Sequence, residues 1–489
     1  MNKKLIKGAS IFAVTGMLWV TNIGFVEACT SVLVGKDASE DGSTMIARNE
    51  DMGTAWSKHF YVREANKNEK KFESKGNGFS LELPKEQLKY TATPEWDVSE
   101  GLYEEAGINS KQVAMSATES TTIKESILEI DPLVEDGIAE DAMLTVVLPY
   151  IESAKGGVER LGEIVEEKGA AEANGIAFSD NEEVWYMETL SGHHWVAARI
   201  PDDSYAVVAN TITIQEIDWD DSENYLYSKG LQEFITDNDL TDNLEEASMR
   251  EIFADTADDS QYNIPRILSG QKMLTDSDIK IDDETFDLFQ KSDNPITARD
   301  IADILGSHFN DTEYDTFGGE KSDAFRPISV PNTMESHILQ IRNDVPEEIS
   351  GIHWLAMGVA STSNYIPFYS GITETPKEYQ EGTDEPDQTS AYWNYRTTNA
   401  LTNPYYNEFK PELVMPVQEK VWGYMYKSVE KIDKEASKML EKDSKELASY
   451  LNKETQEMSK YAMKEYKELN KTLLKKLTEK TNVEHNEDL

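Results

Sequence analysis

The chain of 489 residues is long enough for one large domain or as many as three, at roughly 100–200 residues each. Its net charge of −45, from 47 basic and 92 acidic residues, repels phosphate backbones and anionic lipid and argues against nucleic-acid binding. A hydrophobic fraction of 39% with 9% aromatic residues excludes a disordered tail, and a single cysteine excludes an internal disulfide and a multi-cysteine metal site.

Residues 1–28 read as a secretory signal. Lys3, Lys4 and Lys7 form a basic start, residues 9–26 carry no charge, and Val26-Glu27-Ala28 supplies compact residues at the two positions a signal peptidase inspects. Cutting after Ala28 makes Cys29 the first residue of a secreted or cell-surface protein with no stable membrane insertion. Two alternatives stand beside this: an uncleaved membrane anchor, and lipid attachment to Cys29, against which Glu27 weighs.

An unpaired thiol outside the cell is prone to oxidation, so its place at a new N-terminus calls for a chemical reason. A thiol with a pKa near 8.5 beside an α-amine at about 7.7–8.0 carries its own general base. One residue then supplies both nucleophile and proton acceptor. An inert cysteine buried in the first strand is the bland alternative.

Residues 30–35 alternate and are β-branched, which predicts a strand; Asp41-Gly42 turns the chain, and a second strand runs through 45–47. Further strands are expected at 113–118, 175–178, 184–188, 195–200 and 205–209. Apolar spacing predicts helices at 139–150 and at 158–168, the second beginning after Gly156-Gly157. Residues 225–241 and 244–255 read as acidic surface helices, 338–341 and 352–359 as strands, and 374–390 as a long acidic loop. Strands, then helices, then strands is an α+β pattern. From about 417 the sequence is lysine-rich with Leu440, Leu447, Leu451, Met458, Tyr466, Leu469, Leu473 and Leu477 mostly at threes, fours and sevens, an amphipathic helical extension over 417–489. It is read as packing on its own domain, with an intermolecular coiled coil as the alternative, so homo-oligomerisation stays open.

The segment CTSVLVGKDASEDGSTMIARNED, residues 29–51, carries the chemistry. A strand–turn–strand hairpin brings Arg48 and Asp51 back towards Cys29. An arginine near a thiol favours thiolate, and a carboxylate beside the α-amine orients it. Taken alone, Arg48, Glu50 and Asp51 read better as ordinary surface charges. His193-His194 invites a metal reading, but neighbours on a strand point to opposite faces, and no metal site is expected.

Together with YEEAGINSKQVAMSATES (103–120), the stretch 174–210, YNIPRIL (262–268), FRPISVPNTMESHILQIR (325–342) and GIHWLAMG (351–358), this segment resembles the PepD-like N-terminal-cysteine dipeptidases of the N-terminal nucleophile hydrolase superfamily. The resemblance runs from Cys29 to about residue 410. It implies a four-layer αββα sandwich over 29–416, hydrolysis of dipeptides and no cofactor. It also implies that Arg48 and Asp51 fill the superfamily's Arg-x-x-Asp pattern, that Asn210 helps form an oxyanion hole, and that Arg266 is the second arginine. Glu119 is a candidate, by its chemistry, for the substrate's free amine. Related amide hydrolases acting on N-acyl amino acids, penicillins or bile-salt amides are the first alternative, and a lipid-anchored binding protein is the second.

Overall fold

The computed structural model describes residues 29–66, 70–275, 278–442 and 445–481. The expected signal at 1–28 and the end of the chain from 482 lie outside these residues. The architecture is α+β and is built on two six-stranded antiparallel sheets. The first sheet runs Tyr205–Ala209, Thr30–Val34, Thr44–Asp51, Thr333–Ile341, Gly351–Met357, Ile366–Tyr369. The second runs Tyr225–Tyr227, Trp195–Ile200, Val184–Thr189, Asn174–Ser179, Ala114–Ser120, Ala106–Ile108.

Strand alternation sorts the side chains into separate cores. Leu33, Ile46, Val208, Leu339 and Ile341 of the first sheet pack with Ala106, Ile108, Ala177, Tyr186 and Ala198 of the second. Their neighbours Val32, Val34, Met45, Ala47, Val207 and Ile338 face the other way, into a core shared with helices Ile264–Leu274 and Ala298–Leu305. Met115, Ile176, Phe178, Trp185 and Met187 face helices Glu140–Val147 and Ala154–Lys168 on the far side of the second sheet. A slip of one residue would exchange the two faces and misfit the packing of both cores at once.

Three local expectations are corrected. The helix expected from 158 begins at Ala154, capped by the Ser153 hydroxyl, which accepts from the Gly156 N–H at 3.1 Å. Its glycines serve packing rather than termination: a Cβ at Gly157 would collide with the Phe178 ring, and one at Gly162 with the Trp195 indole. The helix expected over 225–241 is instead the edge strand Tyr225–Tyr227, paired with Val196–Ala198, followed by Leu231–Asp237 after Gly230 at φ +83°. The alternating Tyr-Leu-Tyr suits a pleated edge better than a helix. Residues 244–255 hold a 3-10 turn at Leu244–Glu246 and a short helix Met249–Phe253 rather than one continuous helix.

Helices Ala391–Thr402, Met415–Leu440 and Leu447–Lys480 close the chain. Met425, Ile432, Leu451, Met458, Tyr466 and Leu473 share a core with Ile366, Phe368 and Tyr395, so the apolar stripe is spent against this chain's own first sheet and helix Ala391–Thr402. Asp433 clamps the contact, receiving Arg342 at 2.6 Å and the Tyr369 hydroxyl at 2.8 Å.

Candidate active site

Thr30 pairs with Ala209 on one side and with Asn49 on the other. Cys29, one residue earlier, therefore starts between the chain positions of Asn210 and Glu50. The same parity that turns Leu33 and Ile46 into the space between the sheets turns Cys29 and Arg48 there as well. Cys29 is buried.

Arg48 is fully buried, and each of its five N–H donors is committed. One Nη1 hydrogen points to the Cys29 sulfur at 3.2 Å and the other to the Thr118 carbonyl at 2.6 Å. Nη2 donates to Glu105 at 2.5 Å and to the Ala117 carbonyl at 2.8 Å, and Nε donates to the Ser116 hydroxyl at 3.3 Å. Ser116 is itself linked to His337 Nε2 at 2.8 Å, and His337 Nδ1 to Glu335 at 2.8 Å. Burial pushes the Cys29 thiol well above its ordinary value; Arg48 opposes this, and Glu119, Asp51 and Glu140 add to it.

On the opposite side of Cys29 lies Arg266, from helix Ile264–Leu274, also fully buried. Nη1 donates to the Cys29 carbonyl and, at 2.9 Å, to the Thr30 hydroxyl. Nη2 donates to the side-chain carbonyls of Asn210 at 2.9 Å and Asn263 at 2.7 Å, and Nε to the Tyr262 carbonyl at 2.7 Å. With its oxygen held by Arg266, Asn210 keeps its amide Nδ2 buried and without a hydrogen-bond partner among the described residues.

Glu119 is buried and accepts from the Ser31 hydroxyl through Oε1, while Oε2 has no partner among the described residues. Burial raises its carboxyl to about 7, against the pull of Arg48. Asp51 points to the helix side of the sheet, where it receives Arg326 at 2.6 Å and the Thr333 hydroxyl at 2.5 Å. Burial raises its pKa, with Arg326 opposing. Asp51 thus reaches Cys29 through its charge rather than through a hydrogen bond among the described residues.

The histidine pair lies elsewhere, in the turn before Trp195–Ile200 rather than on a strand. His193 meets Asp131 at 2.8 Å and His194 the Ser228 hydroxyl at 2.9 Å.

Sequence reasoning gave no role to Glu105, Ser116, Glu335, His337, Arg326 or the buried pair Glu50–Lys58, 2.8 Å apart. One signal was available. Glu335 and His337 share the parity of Leu339 and Ile341, and Arg48 and Glu50 that of Ile46, so each places a polar group on a stripe that otherwise faces a core.

The family model described as "Peptidase family C69" matches residues 28–419. The chain belongs to peptidase family C69. Among its relatives, a "Probable dipeptidase" of Latilactobacillus sakei is 45% identical over 393 residues, 79% of this chain and 83% of the relative. A "Probable dipeptidase B" of Lactococcus lactis subsp. lactis is 42% identical over 392 residues, 78% and 82% of the two chains. The "Dipeptidase A" of Lactobacillus helveticus is 37% identical over 425 residues, 84% and 89%. The C69 match begins beside Cys29 and takes in each of the residues assembled around it, so the resemblance read from the motifs holds and the chain is a peptidase.

Proposed function

We propose that this C69 peptidase is a secreted dipeptidase that acts through the thiol of Cys29 after removal of residues 1–28, on a four-layer αββα fold of the N-terminal nucleophile type. The observation that carries the reading is the pairing of opposite preparations around one residue. Arg48 holds a hydrogen bond on the sulfur, and Asn210, held by the same Arg266 that grips the Cys29 carbonyl, keeps a buried amide donor unspent. A buried N–H with no partner is costly, and a developing oxyanion is the group that would satisfy it.

In the proposed cycle the freed α-amine of Cys29 takes the thiol proton, and the sulfur attacks the scissile carbonyl carbon. The carbonyl oxygen gains the charge and is met by Asn210 Nδ2, a contact worth roughly 2.7–4 kcal/mol in comparable hydrolases. Collapse breaks the C–N bond, and the amine returns the proton to the departing amino acid. Water, deprotonated by the same amine, then attacks the thioester, which releases the second amino acid and restores the thiol. The free carboxylate oxygen of Glu119 suits the ammonium that every dipeptide carries next to its scissile carbonyl.

The test is dipeptide hydrolysis by protein whose N-terminus is established as Cys29, beside Cys29→Ser and a form keeping one residue before Cys29. Activity lost in both altered forms is the expected result. Activity that survives the extra residue removes the self-base mechanism. Turnover of N-acyl substrates with no dipeptide cleaved moves the enzyme to the related amide hydrolases, and a diacylglyceryl adduct on Cys29 ends the reading.

A further inference from the structure

Where strand Thr44–Asp51 ends, a cleft of about 510 Å³ opens, lined among others by Met52, Trp56, Glu95, Asp97, Glu100 and Tyr103. Its Met52 comes two residues after Glu50, whose neighbour Asn49 pairs with Thr30 in the strand that follows Cys29. Lys58 Nζ bridges Glu50, whose place in the strand is next to Cys29, to the Tyr103 carbonyl at 3.1 Å, and the charge of Glu140 acts on both Cys29 and Tyr103.

Glu95 is the unusual residue of this cleft. It is only 6% exposed; its Oε2 accepts from the Trp56 indole N–H at 2.7 Å, yet its Oε1 is buried with no partner among the described residues. The buried Lys58, whose charge acts on Glu95, donates to Glu50 and to the Tyr103 carbonyl, and Lys75 donates to the Val98 carbonyl. Asp97 and Glu100 add negative charge to the lining, and Trp56, Met52 and Tyr103 add apolar and aromatic surface. An aliphatic stem ending in a positive charge matches both halves of that surface.

We propose that this cleft receives the cationic side chain of a lysine- or arginine-containing dipeptide, with Glu95 as its counter-ion and Trp56 against its stem. The proposal rests on the dipeptidase reading and adds the substrate class. A neutral side chain of the same length would close the cleft over an unpaired carboxylate oxygen, and sites built around a polar partner discriminate most strongly against analogues that lack it. An acidic side chain would meet Glu95, Asp97 and Glu100 with like charge. The α-ammonium does not enter this discrimination, because every dipeptide has one.

The deciding experiment compares Lys-Ala with norleucine-Ala, and Ala-Lys with Ala-norleucine, pairs that share a stem and differ in the charge. Both kcat/KM of the active enzyme and calorimetric binding to the Cys29→Ser protein are measured. At one of the two positions lysine should win by about tenfold or more in each measurement. Glu95→Gln, which keeps an oxygen for the Trp56 N–H, should bring the pair to within about twofold, and Asp97→Asn with Glu100→Gln should reduce the preference part of the way.

Equal values for lysine and norleucine in the unaltered protein overturn the proposal, and so does a preference that Glu95→Gln leaves intact. That first comparison needs no variant at Glu95 and decides even if Glu95→Gln fails to fold. Tighter binding of the lysine dipeptide with no hydrolysis of any dipeptide would uphold the cleft and sink the dipeptidase reading. Hydrolysis with no charge preference would do the reverse.

Discussion

Two buried arginines flank Cys29, and they are held in opposite ways. Arg48 faces the carboxylate of Glu105 at 2.5 Å, and its guanidinium is kept charged well above its ordinary range, with burial opposing and Cys29, Glu105 and Glu50 favouring the charge. Among the described residues Arg266 donates only to neutral oxygens and lies over the Tyr262 ring, 5.0 Å from its centroid, and burial, with the nearby positive charge of Arg326 adding to it, lowers its pKa to about 9. The first arginine therefore supplies charge to the sulfur. The second supplies geometry: it grips the Cys29 carbonyl, the Thr30 hydroxyl and the Asn210 oxygen, and thereby aims the unspent Asn210 amide. A pair of arginines beside one cysteine need not repeat one function.

The largest effect expected from breaking this contrast is at the charged side. Arg48→Met leaves Glu105 buried without its cation, and losing one partner of a buried pair costs about 3–5 kcal/mol. Denaturant melts should show that loss, and any folded fraction should have lost the proposed peptidase activity by about a thousandfold or more. Arg48→Lys keeps the charge but cannot supply five donors, so it should remain well below the unaltered enzyme. Survival of full activity in Arg48→Lys would reduce the role of Arg48 to bare charge.

On the neutral side, Asn210→Ala removes the aimed donor and no charge. Under the acyl-transfer reading, kcat should fall by about 10²–10³ with KM little changed, because the donor is used by the transition state rather than by bound substrate. A change confined to KM would place Asn210 in ground-state binding instead.

Glu119 should matter less, through binding. Its carboxyl sits at about 7, so it ionises, and can hold an ammonium, as pH rises through that value. In the free enzyme kcat/KM should climb through a limb near pH 7, and Glu119→Gln should remove that limb and lower the plateau by about tenfold. The stability effect has the opposite sign. The folded state keeps this proton to a higher pH than the unfolded chain, so the group's contribution is complete below about 4.5 and is lost as pH rises through about 7. Glu188, likewise raised to about 7 by burial, adds to the same window, and chemical melts across pH 4–8 should flatten in Glu119→Gln and further in the double variant with Glu188→Gln.

How far this site was legible follows the sequence separation of its parts. The opening hairpin could be read because alternation, the Asp41-Gly42 turn and the return strand are local, and Arg48 does meet the thiol. Asn210 and Arg266 entered through short motifs, and the structure places Arg266 on the Cys29 carbonyl and Asn210 on Arg266. Glu105, Ser116 and the Glu335–His337 pair could not be joined to Arg48 in advance. Their meeting depends on which strand of one sheet faces which strand of the other, and no local periodicity records that. Gly157 misled for a similar reason: the Phe178 ring that requires it lies on a distant strand. What the sequence did display was polarity on core-facing stripes, a sign of a site without the identity of its partners.

The smallest effect, and the sharpest test of the contrast, lies in the chain behind Arg48. The Ser116 hydroxyl can accept from Arg48 Nε while donating its own hydrogen to His337 Nε2, and in that arrangement His337 carries its proton on Nδ1 and donates it to Glu335. Ser116→Ala removes this brace and leaves one Arg48 donor unsatisfied, while the Glu105 pair and the two carbonyl contacts persist. A loss of about 0.5–1.5 kcal/mol corresponds to roughly two- to tenfold in kcat. A looser guanidinium also stabilises the thiolate less, so the pH midpoint of Cys29 alkylation should move upward. Ser116→Thr, which keeps the hydroxyl, should restore both. If Ser116→Ala lowers stability yet leaves the alkylation midpoint where it was, Ser116 supports the fold alone, and the other four donors suffice to hold Arg48 on the sulfur.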